Sequence, residues 1–205
     1  SLEFGLLISL PSAVGLYVLS FPIIHILFER GAFLNEDTFY TSKVLSIFAL
    51  GLPAYILIKI LVTCFFARED TKTPLYVSIV SVLVNIILSI LLLSSMREMG
   101  IALATAISAW INAIILFIIL FRTNNLFLEN KFINNSFKIA IATFVMMGGC
   151  YFLNNLFFTN IIDLSTIFKV TNLFLVIISS KIIYLVMIFM LKVISIHDLK
   201  GYIQK

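Results

Sequence analysis

The sequence predicts an all-α, polytopic membrane helix bundle of about six transmembrane helices. Of its 205 residues, 61% are hydrophobic and only 12% are charged, and the mean hydropathy is +1.14. An ordinary soluble domain carries roughly 25% charged residues, so this composition excludes a water-soluble enzyme. A disordered chain is excluded as well, because disorder requires low hydrophobicity and high net charge, and the net charge here is +4.

Six apolar runs are long enough to cross a bilayer, which takes about 20 residues in a helix. They cover residues 5–27, 43–66, 75–95, 101–121, 137–158 and 170–192. None alternates as a barrel strand does, so the backbone groups within the membrane have to be paired inside helices. We therefore divide the chain into four spans within residues 1–122, a cytoplasmic linker at 123–136, and two spans with a cytoplasmic tail at 137–205.

The first two runs contain helix breakers. Pro11 and Pro22 lie in the first, which also lacks the basic start of a signal peptide, and Gly51-Leu52-Pro53 lies in the second. We expect kinks or interruptions there, a feature frequent in transporters that rock around a central site but also found elsewhere. The first run begins almost at Ser1, which suggests a fragment of a longer membrane protein.

The third and fourth runs are joined by only residues 96–100, which predicts a tight antiparallel hairpin. Each run carries polar residues at helical offsets, so that two polar stripes can meet between the helices. One interpretation is hydrogen-bonded glue between helices, and the other is an oxygen-rich site for a monovalent cation. The stripes consist of Ser78, Ser81, Asn85 and Ser89 in the third run, and Thr105, Ser108 and Asn112 in the fourth.

Basic residues predict the orientation, because Lys and Arg are retained on the cytoplasmic side. One set of alternate connections holds eight of them and the other set holds four, namely Arg30, Lys43, Arg97 and Lys169. The bias therefore places both termini of this chain in the cytoplasm. The basic residues are scattered between apolar runs, which argues against a nucleic-acid partner.

Two lysines lie inside predicted spans, where a charge is costly and usually faces a cavity or a partner. Lys59 lies about two turns from the end of its span and has a second interpretation, snorkelling to the interface. Lys181 lies midway along the sixth run, where its ammonium group reaches the membrane interface less easily, and we expect it to face a polar cavity or groove.

Two charged connections are candidates for a gate. Residues 28–33 contain Glu29 and Arg30, and residues 67–74 contain Arg68, Asp70 and Lys72, with Pro74 suited to the first turn of the next helix. The alternative is a pair of solvated loops with internal ion pairs.

Two Cys and two His provide no dense metal or disulfide framework.

In these segments the sequence resembles the MurJ (MviN) family of lipid II flippases. The resemblance covers about residues 10–122 and rests on motifs in matching order. They are Leu10-Pro11-Ser12-Ala13-Val14-Gly15-Leu16, residues 28–33, Gly51-Leu52-Pro53 followed by Lys59, residues 67–74, Asn85, and Gly100-Ile101-Ala102-Leu103-Ala104-Thr105.

The resemblance implies the second lobe of a two-lobed, fourteen-helix transporter of the bacterial inner membrane, with the N-terminal lobe missing from this chain. Its cargo would be lipid II, the polyprenyl-pyrophosphate precursor of peptidoglycan, carried between leaflets by alternating access without any bond being broken. The last two helices would border a groove for the lipid tail and contact membrane lipids. The arginines that hold the pyrophosphate fall mostly in the missing lobe.

The resemblance also implies a sodium site, although no other cofactor. Its matching positions here are Asn85, Ser89, the carbonyl of Ile101 and Thr105. Ser89 departs from the pattern, because an ion-binding member has an acidic residue there. Two alternatives to a lipid II flippase stay open: an ion-coupled exporter of drugs or of another lipid-linked sugar, and a non-transporting membrane scaffold of cell-wall assembly.

Overall fold

The chain is an all-α membrane helix bundle in the computed structural model, which describes residues 2–123, 130–158 and 165–193. The described residues form seven helices, which are α1 (Leu2–Val18), α2 (Ser20–Phe28), α3 (Asn35–Phe66), α4 (Lys72–Met96), α5 (Glu98–Arg122), α6 (Asn130–Phe157) and α7 (Thr166–Met190). Helices α3 to α7 are each long and apolar enough to span a membrane, and α1 with α2 provides a sixth span if the bent pair crosses as one. The prediction of about six spans is thereby confirmed.

The first span breaks at Leu19, where α1 and α2 meet at an angle of 66°. The sequence placed breakers at Pro11 and Pro22, but α1 continues through Pro11, and Pro22 lies in the first turn of α2. That position suits proline because the first N–H groups of a helix have no intrahelical acceptor. The bend therefore precedes Pro22 and does not centre on either proline.

Helix α3 is longer than predicted and runs without interruption through Pro53. It begins at Asn35, where Leu34 N–H donates to Asp37 Oδ2 at 2.9 Å, and its 32 residues measure about 48 Å. This exceeds the ~30 Å of hydrocarbon, so one end of α3 extends beyond it.

Helix α6 also begins early, at Asn130, inside the stretch predicted as a linker. Residues 124–129 of that linker and most of the predicted tail lie outside the described residues.

The long helices pack in the spatial order α4, α5, α3, α1, α6, α7, and α2 contacts both α3 and α7. Small residues allow a close approach of two helices: Ala54 of α3 packs against Ala109 and Ala113 of α5. Trp110 Nε1–H also donates to the carbonyl of Leu50 at 3.0 Å, which ties α5 to α3 near Pro53. The two charged loops, residues 28–33 before α3 and residues 67–74 after it, lie at opposite ends of this helix.

Candidate functional site

The predicted hairpin brings the two polar stripes together. Helices α4 and α5 are joined by Arg97 alone, whose φ of 49° turns the chain back. A Cβ on Gly100 would lie 2.6 Å from the carbonyl oxygen of Leu92, so glycine is needed where the two backbones pass. This close approach aligns the polar faces of the two helices.

The four candidate sodium ligands form one chain of hydrogen bonds across this hairpin. Ser89 Oγ–H donates to Asn85 Oδ1 at 3.0 Å, and Asn85 Nδ2–H donates to Thr105 Oγ1 at 3.4 Å. Thr105 Oγ1–H in turn donates to the carbonyl of Ile101 at 2.9 Å. Asn85 therefore contacts Thr105 of the facing stripe.

This donor set is neutral, and its members already pair with one another. It contains no carboxylate, since Ser89 occupies the position where an acidic ligand was expected. The part of the chain that the structure describes holds no group of three or more His, Cys, Asp or Glu placed to bind a metal. The residues as arranged form an interhelical clasp.

The two lysines inside the spans lie on the surface of this bundle. Lys59 on α3 and Lys181 on α7 are exposed, and neither has a hydrogen bond or an ion pair among the described residues. At membrane depth an uncompensated charge facing lipid is costly. Each lysine thus marks a face that requires water or a polar partner.

The gate candidates of the first loop occupy different environments. Glu29 is half-buried and bonded to two side chains, with His25 Nδ1 2.6 Å and the Thr38 hydroxyl 2.7 Å from its Oε2. Burial acts to raise the pKa of Glu29, but the bonds from Thr38 and His25 and the nearby charges outweigh it, so the pKa is lowered. Arg30 is exposed, and its guanidinium lies 3.4 Å from the carbonyl of Ile26.

Arg30 also lines an open groove of about 970 Å³ at the end of the bundle predicted to be extracytoplasmic. The groove lies between the start of α3 and the hairpin turn, and Arg97 provides a second cation on its wall. Its lining combines both charge signs with aromatic rings, including Phe33, Glu36, Tyr40 and Glu98. Such a surface suits a polar, charged group and not an acyl chain.

The gate candidates of the second loop cap helices. Asp70 Oδ1 accepts from the backbone N–H of Thr73 at 3.0 Å in the first turn of α4. Hydrogen bonds from the side chain and the backbone of Thr73 lower the pKa of Asp70. Glu69 has a φ of 61°, and Asp70 N–H closes the end of α3 by donating to the carbonyl of Phe65 at 3.2 Å. Lys72 is the first residue of α4, and Arg68 is exposed. The loop is thus a compact link between two spans.

A further polar cluster, not predicted from the sequence, is formed by His25, Glu29, Thr38 and Lys169. Of these, only Glu29 was a candidate. The spacing of His25 and Glu29, four residues apart at a helix end, was the available signal. Lys169 and Thr38 carry no local signal, because only packing brings α7 and α3 to this point.

Comparisons with known proteins agree with this architecture. The model of the family described as lipid II flippase MurJ matches residues 1–174, further along the chain than the motifs reach. A probable lipid II flippase MurJ of Rhizobium tropici is 44% identical over 76% of this chain and 29% of its own length. The lipid II flippase MurJ of Thermosipho africanus (strain TCF52B) is 36% identical over 74% of this chain and 30% of its own length.

A solved structure described as lipid II flippase MurJ, inward closed conformation, superposes with a TM-score of 0.71. It is 30% identical, and the match covers 91% of this chain and 36% of that one. The chain thus spans about a third of the length of these proteins or less. Since the family model matches well over half of its residues, this chain belongs to the lipid II flippase MurJ family.

Proposed function

We propose that this chain is the second lobe of a transporter that moves lipid II from the inner to the outer leaflet of the bacterial cytoplasmic membrane by alternating access. Both termini of the chain would lie in the cytoplasm, as the distribution of basic residues favours. The observation that carries the proposal is a pair of exposed lysines within the predicted spans, Lys59 and Lys181, which have no partner among the described residues of a chain of this family.

The physical task is to move a charged head group past hydrocarbon. Transfer of an unpaired charge out of water is strongly unfavourable, and fixed positive charges that replace water reduce that cost for a pyrophosphate. The exposed faces around Lys59 and Lys181 would therefore line the cavity that forms with the upstream lobe. The lipid tail can remain among acyl chains, so only the head has to cross, and no bond is broken.

The outer end of the bundle offers the next polar surface along this route. The groove lined by Arg30 and Arg97 lies at the end assigned to the extracytoplasmic side. A head group that leaves the cavity there would meet two cations and several carboxylates. The bend at Leu19 would let α2 change its angle relative to α1, so that the outer end of the bundle opens and closes. Sodium takes part in no step of this proposal.

Complementation tests the proposal in cells. A chimera in which this chain replaces the matching segment of the Rhizobium tropici relative is expressed while the endogenous flippase is depleted. We expect the chimera to support growth, and Lys59→Ala and Lys181→Ala to reduce lipid II translocation at least tenfold. Lys131→Ala is the matched control, because Lys131 is an exposed lysine in the first turn of α6, outside the predicted spans.

Three results would overturn the proposal. A stably inserted chimera without any substitution that fails to support growth would show that this chain does not act as a flippase lobe. Full translocation by both the Lys59 and the Lys181 variants, at normal protein levels, would show that these charges do not line the path. Loss of activity in the Lys131 variant alone would place the important charge elsewhere and would equally reject the assignment.

A further inference from the structure

His25 is the centre of the polar cluster that the proposed transport path does not use. Its side chain is buried, with 4% exposed, and its ring stacks on Phe21 with the centroids 6.0 Å apart. Each ring nitrogen has its own partner: Nδ1 lies 2.6 Å from Glu29 Oε2, and Nε2 lies 3.0 Å from Lys169 Nζ. The imidazole thus joins the end of α2 to the start of α7.

The partners assign the protons of this cluster. A lysine ammonium is a donor only, so Lys169 donates to Nε2, which is then the unprotonated nitrogen. The single ring proton lies on Nδ1 and is donated to the Glu29 carboxylate. Thr38 Oγ1–H donates to the same carboxylate oxygen at 2.7 Å. In this form the cluster combines a neutral imidazole with one cation and one anion.

A second proton on the ring has only one place to bind, which is Nε2. It would remove the acceptor of Lys169 and place two cations 3.0 Å apart. Among the described residues, the charged groups that face His25 are Glu29 from its own segment and Lys169 from α7, while α3 contributes only the neutral hydroxyl of Thr38. Glu29 stays paired with the imidazolium, so the group that has to move is Lys169.

Movement of Lys169 affects one end of α7 and leaves the rest packed. Lys169 is half-buried in the first turns of α7. Further along the helix, Leu173 and Val176 pack with Leu19 and Ile26 of the first span and with Cys150 of α6. Repulsion at Lys169 therefore loosens the start of α7 from α2 while the apolar contacts below hold the helix in the bundle.

We propose that His25 is a proton-binding site, loaded from the extracytoplasmic side, whose second proton releases Lys169 and separates the start of α7 from α2. Histidine is the residue type that commonly changes charge near physiological pH, which suits this role. The site is defined by its own residues and does not depend on lipid II being the cargo. Its ligand is a proton, and its effect is a change in how the outer end of the bundle is closed.

Distance measurements in the 205-residue chain test this proposal. His197→Gln leaves His25 as the only histidine, and both native cysteines are replaced by alanine. Spin labels at Phe28→Cys and Phe168→Cys, positions 54% and 64% exposed, then report the separation of α2 from α7 in nanodiscs. We expect a shift to longer distances between about pH 8 and about pH 5.5. An unchanged distance distribution would overturn the proposal.

Two variants separate the proton site from a general effect of acid. His25→Gln and Lys169→Met should each abolish the pH-dependent shift, the first because no proton binds and the second because no cation is expelled. A shift that persists in either variant would overturn the proposal. The nitrogen-15 spectrum of the unaltered ring is an independent measurement, in which we expect a protonated Nδ1 and a bare Nε2 at high pH. The opposite tautomer would reject the assignment.

Discussion

The hydroxyl of Tyr184 in α7 donates a hydrogen bond of 2.7 Å to the carbonyl of Leu7 in α1, and so joins residues 177 positions apart. The ring of Tyr184 packs in an apolar cluster with Ile139, Met146 and Ile188. Since α7 contacts α1 as well as α6, this bond fixes the last helix against the first span.

Tyr184→Phe should lower the free energy of unfolding by about 0.6 kcal/mol, and by no more than about 1.7 kcal/mol, the average and the maximum measured for hydrogen bonds between membrane helices. The ring and its packing are kept, so the effect isolates the hydroxyl. Unfolding in mixed micelles at increasing denaturing detergent measures it. Tyr151→Phe is the control, because Tyr151 is 60% exposed and has no hydrogen bond among the described residues. Equal stability of both variants would contradict a role for the Tyr184 bond.

Gly100→Ala should destabilise the hairpin by roughly 1 to 3 kcal/mol, the usual cost of overpacking. The new Cβ would lie 2.6 Å from the carbonyl oxygen of Leu92, and a backbone atom has little freedom to move away. Thermal unfolding in detergent, followed by circular dichroism, measures the loss.

The matched control for that substitution is Gly148→Ala in α6. A Cβ at this position meets no atom within 4 Å. Because alanine is a better helix former than glycine by about 0.5 to 1 kcal/mol, we expect Gly148→Ala to be neutral or stabilising. A Gly100 variant as stable as the Gly148 variant would mean that the two backbones are further apart than described.

Asn85→Leu should weaken the contact between α4 and α5 by about 0.6 kcal/mol, and by no more than about 1.7 kcal/mol, because it removes the bond to Thr105 that crosses between the two helices. Replacing sodium by potassium should leave the melting temperature of the unaltered chain unchanged, since the clasp is neutral. A sodium-dependent rise in melting temperature that Asn85→Leu abolishes would show that these residues bind the ion after all. Differential scanning fluorimetry in the two salts makes the measurement.

Glu69→Gly should stabilise the chain by about 1 to 2 kcal/mol, because glycine adopts a positive φ without the strain of a side chain. Glu69 has a φ of 61° at the end of α3. Glu69→Ala removes the same carboxylate but retains a Cβ, and should give no such gain. If the alanine variant matched the glycine variant, charge and not backbone conformation would be the cause.

Asp70 should make stability depend on pH in the acid range. Hydrogen bonds from the side chain and backbone of Thr73 lower the pKa of Asp70, so its contribution is complete above the ordinary value and disappears as the pH falls through the lowered one. Asp70→Asn should therefore be less stable than the unaltered chain at pH 7, and the difference should vanish in strong acid. Melting curves across that range measure it, and a difference that grew on acidification would contradict the assignment.

Much of the membrane architecture was predictable because bilayer thickness acts on local sequence. Runs of about 20 apolar residues identify spans whatever their neighbours are, and the short connection at residues 96–100 forced α4 and α5 into a hairpin. The same locality made it possible to expect Asn85 and Thr105 on facing stripes. Helix bounds were less predictable. Helix α3 begins at Asn35, among polar residues that a search for apolar runs leaves out.

The sequence by itself determined that this chain crosses the membrane several times, which helices are neighbours through short loops, and which motifs it shares with its family. Only the tertiary structure decided that the first span bends at Leu19 and that Lys169 meets His25. The physical reason is the distance along the chain over which each effect acts. Hydrophobicity and helix periodicity act over a few turns, whereas a contact between residues 144 positions apart depends on how every intervening helix packs.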